Sequence, residues 1–299
     1  MLKEIVKMIK HNLNLYKVQA PIRRLAYREF GDVNSENILL CIPGILESQN
    51  AFDEIVNFVE QHEGCRLVTV DHCGRGKSDW LDEDSSYKMS VYLEDLRTLI
   101  THLHATHKRL SRRLYLLGSS MGGLLALNLA AQKELRVKGL ILNDVGLTVS
   151  WSGLFNLYSK NKDSESTDGA DDPSTKMHFD PRLIDAIRHP GHVDISYSFN
   201  FLGLHFDNGL QNFQGPVLLL RGKNSDICSS IDEQVLMRYA NHAEVMSLDG
   251  EGHPVSYGPE VLSKLSEILS LHKTSMSLPN DLFSTEYQKF DSYSMLACA

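Results

Sequence analysis

RLYLLGSSMGGLLALNLAA, residues 113–131, is the stretch on which the reading of this sequence turns. Leu114 to Leu117 form a short apolar run, Gly118 to Gly122 a turn of small residues, and the Leu/Ala-rich remainder has helical propensity. A strand that passes directly into a helix through Gly-x-Ser-x-Gly lifts its central serine above the end of a sheet. Side chains two residues to either side would collide in so tight a turn, which is why Gly118 and Gly122 flank Ser120. The helix N-terminus behind that serine favours developing negative charge. This register makes Ser120, not Ser119, the candidate nucleophile.

Outward from this stretch, short apolar runs alternate with helical ones. The runs are ILLCIPG (38–44), RLVTVDH (66–72), VKGLILNDVG (137–146), PVLLLRG (216–222) and AEVMSLDG (243–250), and helices are expected at about 51–62, 90–108, 121–132, 229–240 and 259–272. Such alternation predicts an α/β fold with a mostly parallel central sheet flanked by helices. Most runs end in Gly, Asp or Ser, the residues that suit sharp turns at the carboxyl ends of strands, where ligands gather in open sheets. The alternation breaks between 146 and 214, so 147–213 reads as an insertion into a core made of 24–146 and 214–272. Within it, 159–176 is polar and acidic, with too little apolar surface to order itself, and is expected to be flexible. Residues 1–23 read as a helical extension and 273–299 as a weakly ordered tail.

A serine hydroxyl needs a base, and the base needs an orienting acid. Of the 13 histidines, His253 follows the last strand and precedes the last helix, on a loop able to reach the sheet edge. His72 ends another strand, where it could line a site, and His102, His104 and His107 do not converge on a metal. For the acid, Asp226 in RGKNSDICS (221–229) is preferred, with Asp144 and Asp249 as rivals. The oxyanion of an acyl-transfer intermediate needs backbone donors: Met121 N–H, directly after the nucleophile, and Ile45 N–H in CIPGILES (41–48). Trp151, Phe155, Tyr158, Tyr197 and Phe201, all in the insertion, are candidates for contact with substrate or for packing within the insertion itself.

Composition excludes several other classes. With 30 basic and 38 acidic residues, a formal charge of −8 disfavours nucleic acid and anionic membrane surfaces as partners. No apolar run approaches the roughly 18 residues of a membrane span, and Lys3, Glu4, Lys7 and Lys10 interrupt any secretory apolar region. The five cysteines are odd in number and never spaced C-x-x-C, which argues against a disulfide framework or a zinc site and fits a reducing, cytoplasmic location. GRGKS (74–78) is no phosphate loop, because the position that would need glycine is Asp71.

Taken together, Gly118-x-Ser120-x-Gly122, VTVDHCGRGKSD (68–79), which is similar to a D-x-x-G-x-G-x-S turn, ILNDVG (141–146), RGKNSD (221–226) and GEGHP (250–254) make the sequence resemble the α/β-hydrolase superfamily over about residues 24–272. The resemblance implies a serine hydrolase of the carboxylesterase or lipase kind, with no cofactor and no metal, acting on a small-molecule ester or other acyl compound. It also implies a cap between the sixth and seventh strands, where this chain carries 147–213. Where many members have His-Gly before the oxyanion residue, this chain has Pro43-Gly44. The same fold supports C–C bond hydrolases, lyases and acyltransferases, and a ligand-binding or signalling protein with little turnover is the rival from another class.

Overall fold

Eight strands share one sheet in the computed structural model, which describes residues 23–32, 34–105, 113–149, 153, 155–156, 159, 179–187, 192–195, 198–200, 203–207, 210, 213–273 and 294–298. In chain order they are β1 (Arg23–Gly31), β2 (Asn37–Ile42), β3 (Arg66–Val70), β4 (Arg113–Ser119), β5 (Val137–Asn143), β6 (Val217–Gly222), β7 (Glu244–Leu248) and β8 (Ser294–Cys298). Across the sheet the order is β7-β6-β5-β4-β2-β3-β1-β8. From β7 to β3 every pairing is parallel, while β1 and β8 add an antiparallel edge.

Burial on both faces explains why the central strands read as unbroken apolar runs. All six residues of β2 are buried. Ile38, Leu40 and Ile42 join the core beneath the helices Met89–Ala105 (α2) and Met121–Ala130 (α3), and Leu39 and Cys41 join the core beneath Asp53–Val59 (α1) and Pro259–Leu269 (α6). The helix α2 buries Met89, Tyr92, Leu93, Leu96, Leu99, Ile100 and Leu103, a stripe at spacings of three and four. Two further helices lie later in the chain, the short α4 (Arg182–Ile187) and α5 (Ser230–Tyr239), whose start is capped reciprocally by Ser229 and Asp232. Each of the five expected helices is present to within a few residues.

Between β5 and β6 the insertion contributes α4 and a three-stranded sheet of Thr148–Val149, Gly203–His205 and Ser198–Asn200. It is tied to the segment between β3 and α2 and to the first turn of α2. Phe179 bridges to Arg75, and Asp180 N–H donates to Gly74 O at 2.8 Å. Tyr87 Oη donates to Asp180 Oδ2 at 2.7 Å, His192 Nδ1 to Tyr87 O at 2.8 Å, and Ser90 N–H to Asp194 Oδ1 at 2.8 Å.

One expectation needs correction. The tail ends in β8, which pairs with β1 from Arg23↔Cys298 to Tyr27↔Ser294, because β1 leaves its outer edge open and residues 294–298 are extended and mostly apolar. The rest of 274–299, residues 1–22, and 160–176 lie outside the described residues. Among the described residues no helix is long and apolar enough to cross a membrane.

Candidate active site

The turn between β4 and α3 departs from ordinary backbone. Ser120 has φ 50° and ψ −117°, a conformation that L-residues avoid. The glycines around it are sterically required: a Cβ on Gly118 would lie 2.3 Å from Gly122 O, and one on Gly122 would lie 2.1 Å from Ile42 O. Strain at one serine, enforced by contacts that tolerate no side chain, holds that serine at the carboxyl edge of the sheet. Ser119, its neighbour, is 1% exposed, and its Oγ is shut off from solvent.

Ser120 Oγ lies 2.9 Å from His253 Nε2, and His253 Nδ1 lies 2.7 Å from Asp144 Oδ2. The acid that meets the imidazole is therefore Asp144, and the preference for Asp226 is corrected. The reason is the register of adjacent strands. Asn143, the last residue of β5, pairs with Leu220 of β6, so Asp144 stands level with the end of β6, and its N–H donates to Leu220 O at 2.8 Å. At φ 51° its chain then turns sharply, and the carboxylate also accepts from Gly222 N–H at 3.0 Å and Ser225 Oγ at 2.5 Å. Asp226 lies four residues past the end of β6. Asp249, the other rival, is 88% exposed and paired with Lys223 at 2.8 Å.

The histidine loop is anchored from two sides. Asn143 Nδ2 donates to Val255 O at 2.8 Å and Asn143 Oδ1 accepts from Val255 N–H at 3.0 Å, a two-point clamp on the backbone beyond His253. Gly222 packs so closely that a Cβ there would lie 2.3 Å from Gly252 O. Neither Asn143 nor Ser225 was recognised from the sequence. The clamp joins residues 112 apart in the chain, and a polar residue at a strand end carries no local mark of such a partner.

On the other side of Ser120 lies the loop after β2. A Cβ on Gly44 would approach Ser120 Cβ to 3.3 Å, so the Pro43-Gly44-Ile45 backbone runs alongside the serine. Ile45 and Met121 are buried at 8% and 7% exposure. His72, which could line a site, meets this loop. It is buried, and its Nε2 donates to Pro43 O at 3.1 Å. Burial, reinforced by the nearby charge of Arg75, pushes its pKa down to about 3, so the imidazole is neutral at ordinary pH. Of the aromatic candidates in the insertion, Phe155 is 66% exposed, whereas Trp151, Tyr158, Tyr197 and Phe201 lie outside the described residues.

The hydroxyl, imidazole and carboxylate thus form a hydrogen-bonded series able to draw a proton from Ser120. Residues 34–151 match the model of the family described as serine aminopeptidase, S33. The chain is 25% identical over 280 residues to the 3-hydroxybutyrate-oligomer hydrolase of Cupriavidus necator, across 80% of this chain and 89% of that protein. Among solved structures, an α/β hydrolase from Novosphingobium aromaticivorans superposes with a TM-score of 0.64 at 24% identity, over 83% of this chain and 94% of the other. A lipase-esterase related protein from Clostridium acetobutylicum gives a TM-score of 0.57 at 18% identity, over 82% and 99% of the two chains. Sheet order, serine turn and these likenesses converge: the chain has the α/β-hydrolase fold.

Proposed function

We propose that the protein hydrolyses a carboxylic ester of a small molecule through an acyl-Ser120 intermediate. The observation that carries this reading is the unbroken series from Ser120 Oγ through His253 to Asp144, at 2.9 and 2.7 Å, mounted on a strained strand-to-helix turn. Neutral His253 takes the Ser120 proton at Nε2 as Oγ attacks the ester carbonyl. The tetrahedral oxyanion is met by the N–H groups of Met121, at the start of α3, and of Ile45. As the intermediate collapses, the imidazolium returns its proton to the leaving alcohol. Water then repeats the sequence: His253 takes a proton from it, hydroxide attacks the acyl carbon, and Ser120 leaves reprotonated with release of the acid. Asp144 keeps the Nδ1–H tautomer, so that Nε2 faces Ser120.

The likeness to a hydrolase named for 3-hydroxybutyrate oligomers favours short hydroxyacyl esters among the possible substrates. The insertion would act as the cap over that substrate. Five buried free cysteines accord with a cytoplasmic setting.

A fluorophosphonate probe and a series of p-nitrophenyl esters of increasing chain length test the reading. Ser120→Ala is expected to abolish both labelling and turnover, a loss of about 10⁴- to 10⁶-fold in kcat, while Ser119→Ala keeps both. Labelling of Ser119, or turnover surviving in Ser120→Ala, would overturn it.

A further inference from the structure

We infer that Arg75 and His72 are positioning residues for the oxyanion donor, clamping the peptide planes on either side of the Gly44–Ile45 peptide so that the Ile45 N–H keeps one orientation. The inference rests on the ester-hydrolysis reading above and extends it to two buried side chains that touch no reacting atom.

A peptide beside glycine is the softest point of a loop, because glycine leaves its dihedrals free. Here that peptide runs alongside Ser120, yet all three successive planes are held. In the plane before it, Pro43 O accepts from His72 Nε2 at 3.1 Å and Gly44 N–H donates to Glu47 Oε2 at 2.6 Å. In the plane after it, Ile45 O accepts from Arg75 Nε. Within the central plane, Gly44 O accepts from Glu47 N–H at 3.3 Å. A trans peptide points its N–H opposite to its carbonyl, so holding Gly44 O on one side turns the Ile45 N–H to the other.

The chemistry of the two clamps suits this task. Arg75 is 0% exposed, and its other bonds go to Cys73 O at 2.9 Å and Tyr92 Oη at 3.3 Å, with the guanidinium 4.9 Å from the Tyr92 ring centroid. Among the described residues no carboxylate bonds to it. The other buried arginine, Arg66, contrasts with it in being paired with Glu29 at 2.5 Å. A desolvated cation without a counter-ion is costly. One peptide from where the oxyanion would form, its charge attracts negative charge developing in the transition state. His72 complements it. As a neutral imidazole whose Nε2–H is committed to Pro43 O, it leaves Nδ1 bare and without a partner among the described residues, so it adds no second charge beside Arg75.

The test compares a ground state with an oxyanion. Steady-state hydrolysis of a neutral p-nitrophenyl ester gives kcat and KM, and an alkyl trifluoromethyl ketone, whose adduct with Ser120 carries the oxyanion, gives Ki. Arg75→Met is expected to lower kcat roughly 10- to 100-fold and raise Ki by the same factor, with KM changed less than about 3-fold. Arg75→Lys, which keeps the charge but cannot reach three acceptors, should lose an intermediate amount in both. Arg66→Met, a buried arginine at the far end of β3, should lower Tm and leave Ki unchanged. Unaltered Ki in folded Arg75→Met, or an equal rise in Arg66→Met, overturns the inference. Where Arg75→Met yields no folded protein, Arg75→Lys decides on the same two numbers, and wild-type values there overturn it. Failure of the ester reading is distinct, because it would appear in the wild type as no ester turnover and no inhibition by the ketone.

Discussion

Two adjacent strands, β5 and β6, each deliver an aspartate to the same edge of the sheet, and they do so differently. After β5 the chain turns at once, and Asp144 is buried with three donors besides its own strand contacts: Gly222 N–H, Ser225 Oγ and His253 Nδ1. After β6 the chain runs on through Gly222 to Asn224, so Asp226 comes four residues later, and the loop's contribution to the carboxylate is Ser225 and the Gly222 backbone instead. One loop supplies the charge and the other the hydrogen bonds that hold it. An acid that orients an imidazole needs a fixed position more than it needs a suitable place in the chain order, and fixation comes from the neighbouring strand.

Substituting the two aspartates is the hardest test of this contrast. Asp144→Asn is expected to lower kcat by about 10⁴-fold, through loss of the Nδ1–H tautomer, with the fold retained. Asp226→Asn should stay within about 5-fold of wild type. Steady-state kinetics with circular dichroism on both variants checks this, and a reversal would return the orienting role to the loop after β6. Next in size is Gly222→Ala. Its Cβ would need the space of Gly252 O, 2.3 Å away, and pushing back the loop that carries His253 should cost about 10²-fold in kcat with KM little changed. Ser225→Ala is milder. It removes one of the three donors to Asp144, and a loss near 10-fold in kcat is expected, in keeping with the weight of one hydrogen bond to a charged group. No loss at all would mean that the loop after β6 does not hold the carboxylate.

A last test, read in stability and not in rate, concerns two buried histidines that lie near the charge of Arg75. Burial lowers the pKa of His192 to about 4 and that of His72 to about 3, in both cases with the charge of Arg75 adding to the shift. A lowered folded pKa means that the unfolded chain binds these protons first. The stability they contribute is therefore complete above about pH 6.5 and is lost as pH falls toward 4 and then 3. Urea denaturation between pH 7 and pH 4.5 should give unfolding free energies that decline with a slope of up to about 1.4 kcal/mol per pH unit for each histidine. His192→Gln should flatten that slope. An unchanged slope in this variant would show that His192 is not buried as a neutral group.

Much of this was legible in local sequence. The Gly118 to Gly122 turn, its strand and its helix followed from residue size and period, because the collisions that demand glycine lie within five residues of one another or on the adjacent strand. The expected helices followed from the helical period between the strands, and in the structure Ser229 caps α5 and Pro259 opens α6. His253 was found because a base after the last strand can reach the sheet edge. The tail strand β8 was not found: five residues of weak pattern acquire meaning only against the open edge of β1.

The sequence by itself therefore determined the alternating α/β order, the serine on its turn and the position of the histidine. Only the tertiary structure decided between Asp144 and Asp226, and only it brought Asn143 to Val255 and Arg75 to Ile45. The physical reason is that period and turn chemistry act over a few residues, whereas strand register and hydrogen-bond partnership join segments tens to hundreds of residues apart. Two aspartates past two strand ends look alike until the strands stand side by side.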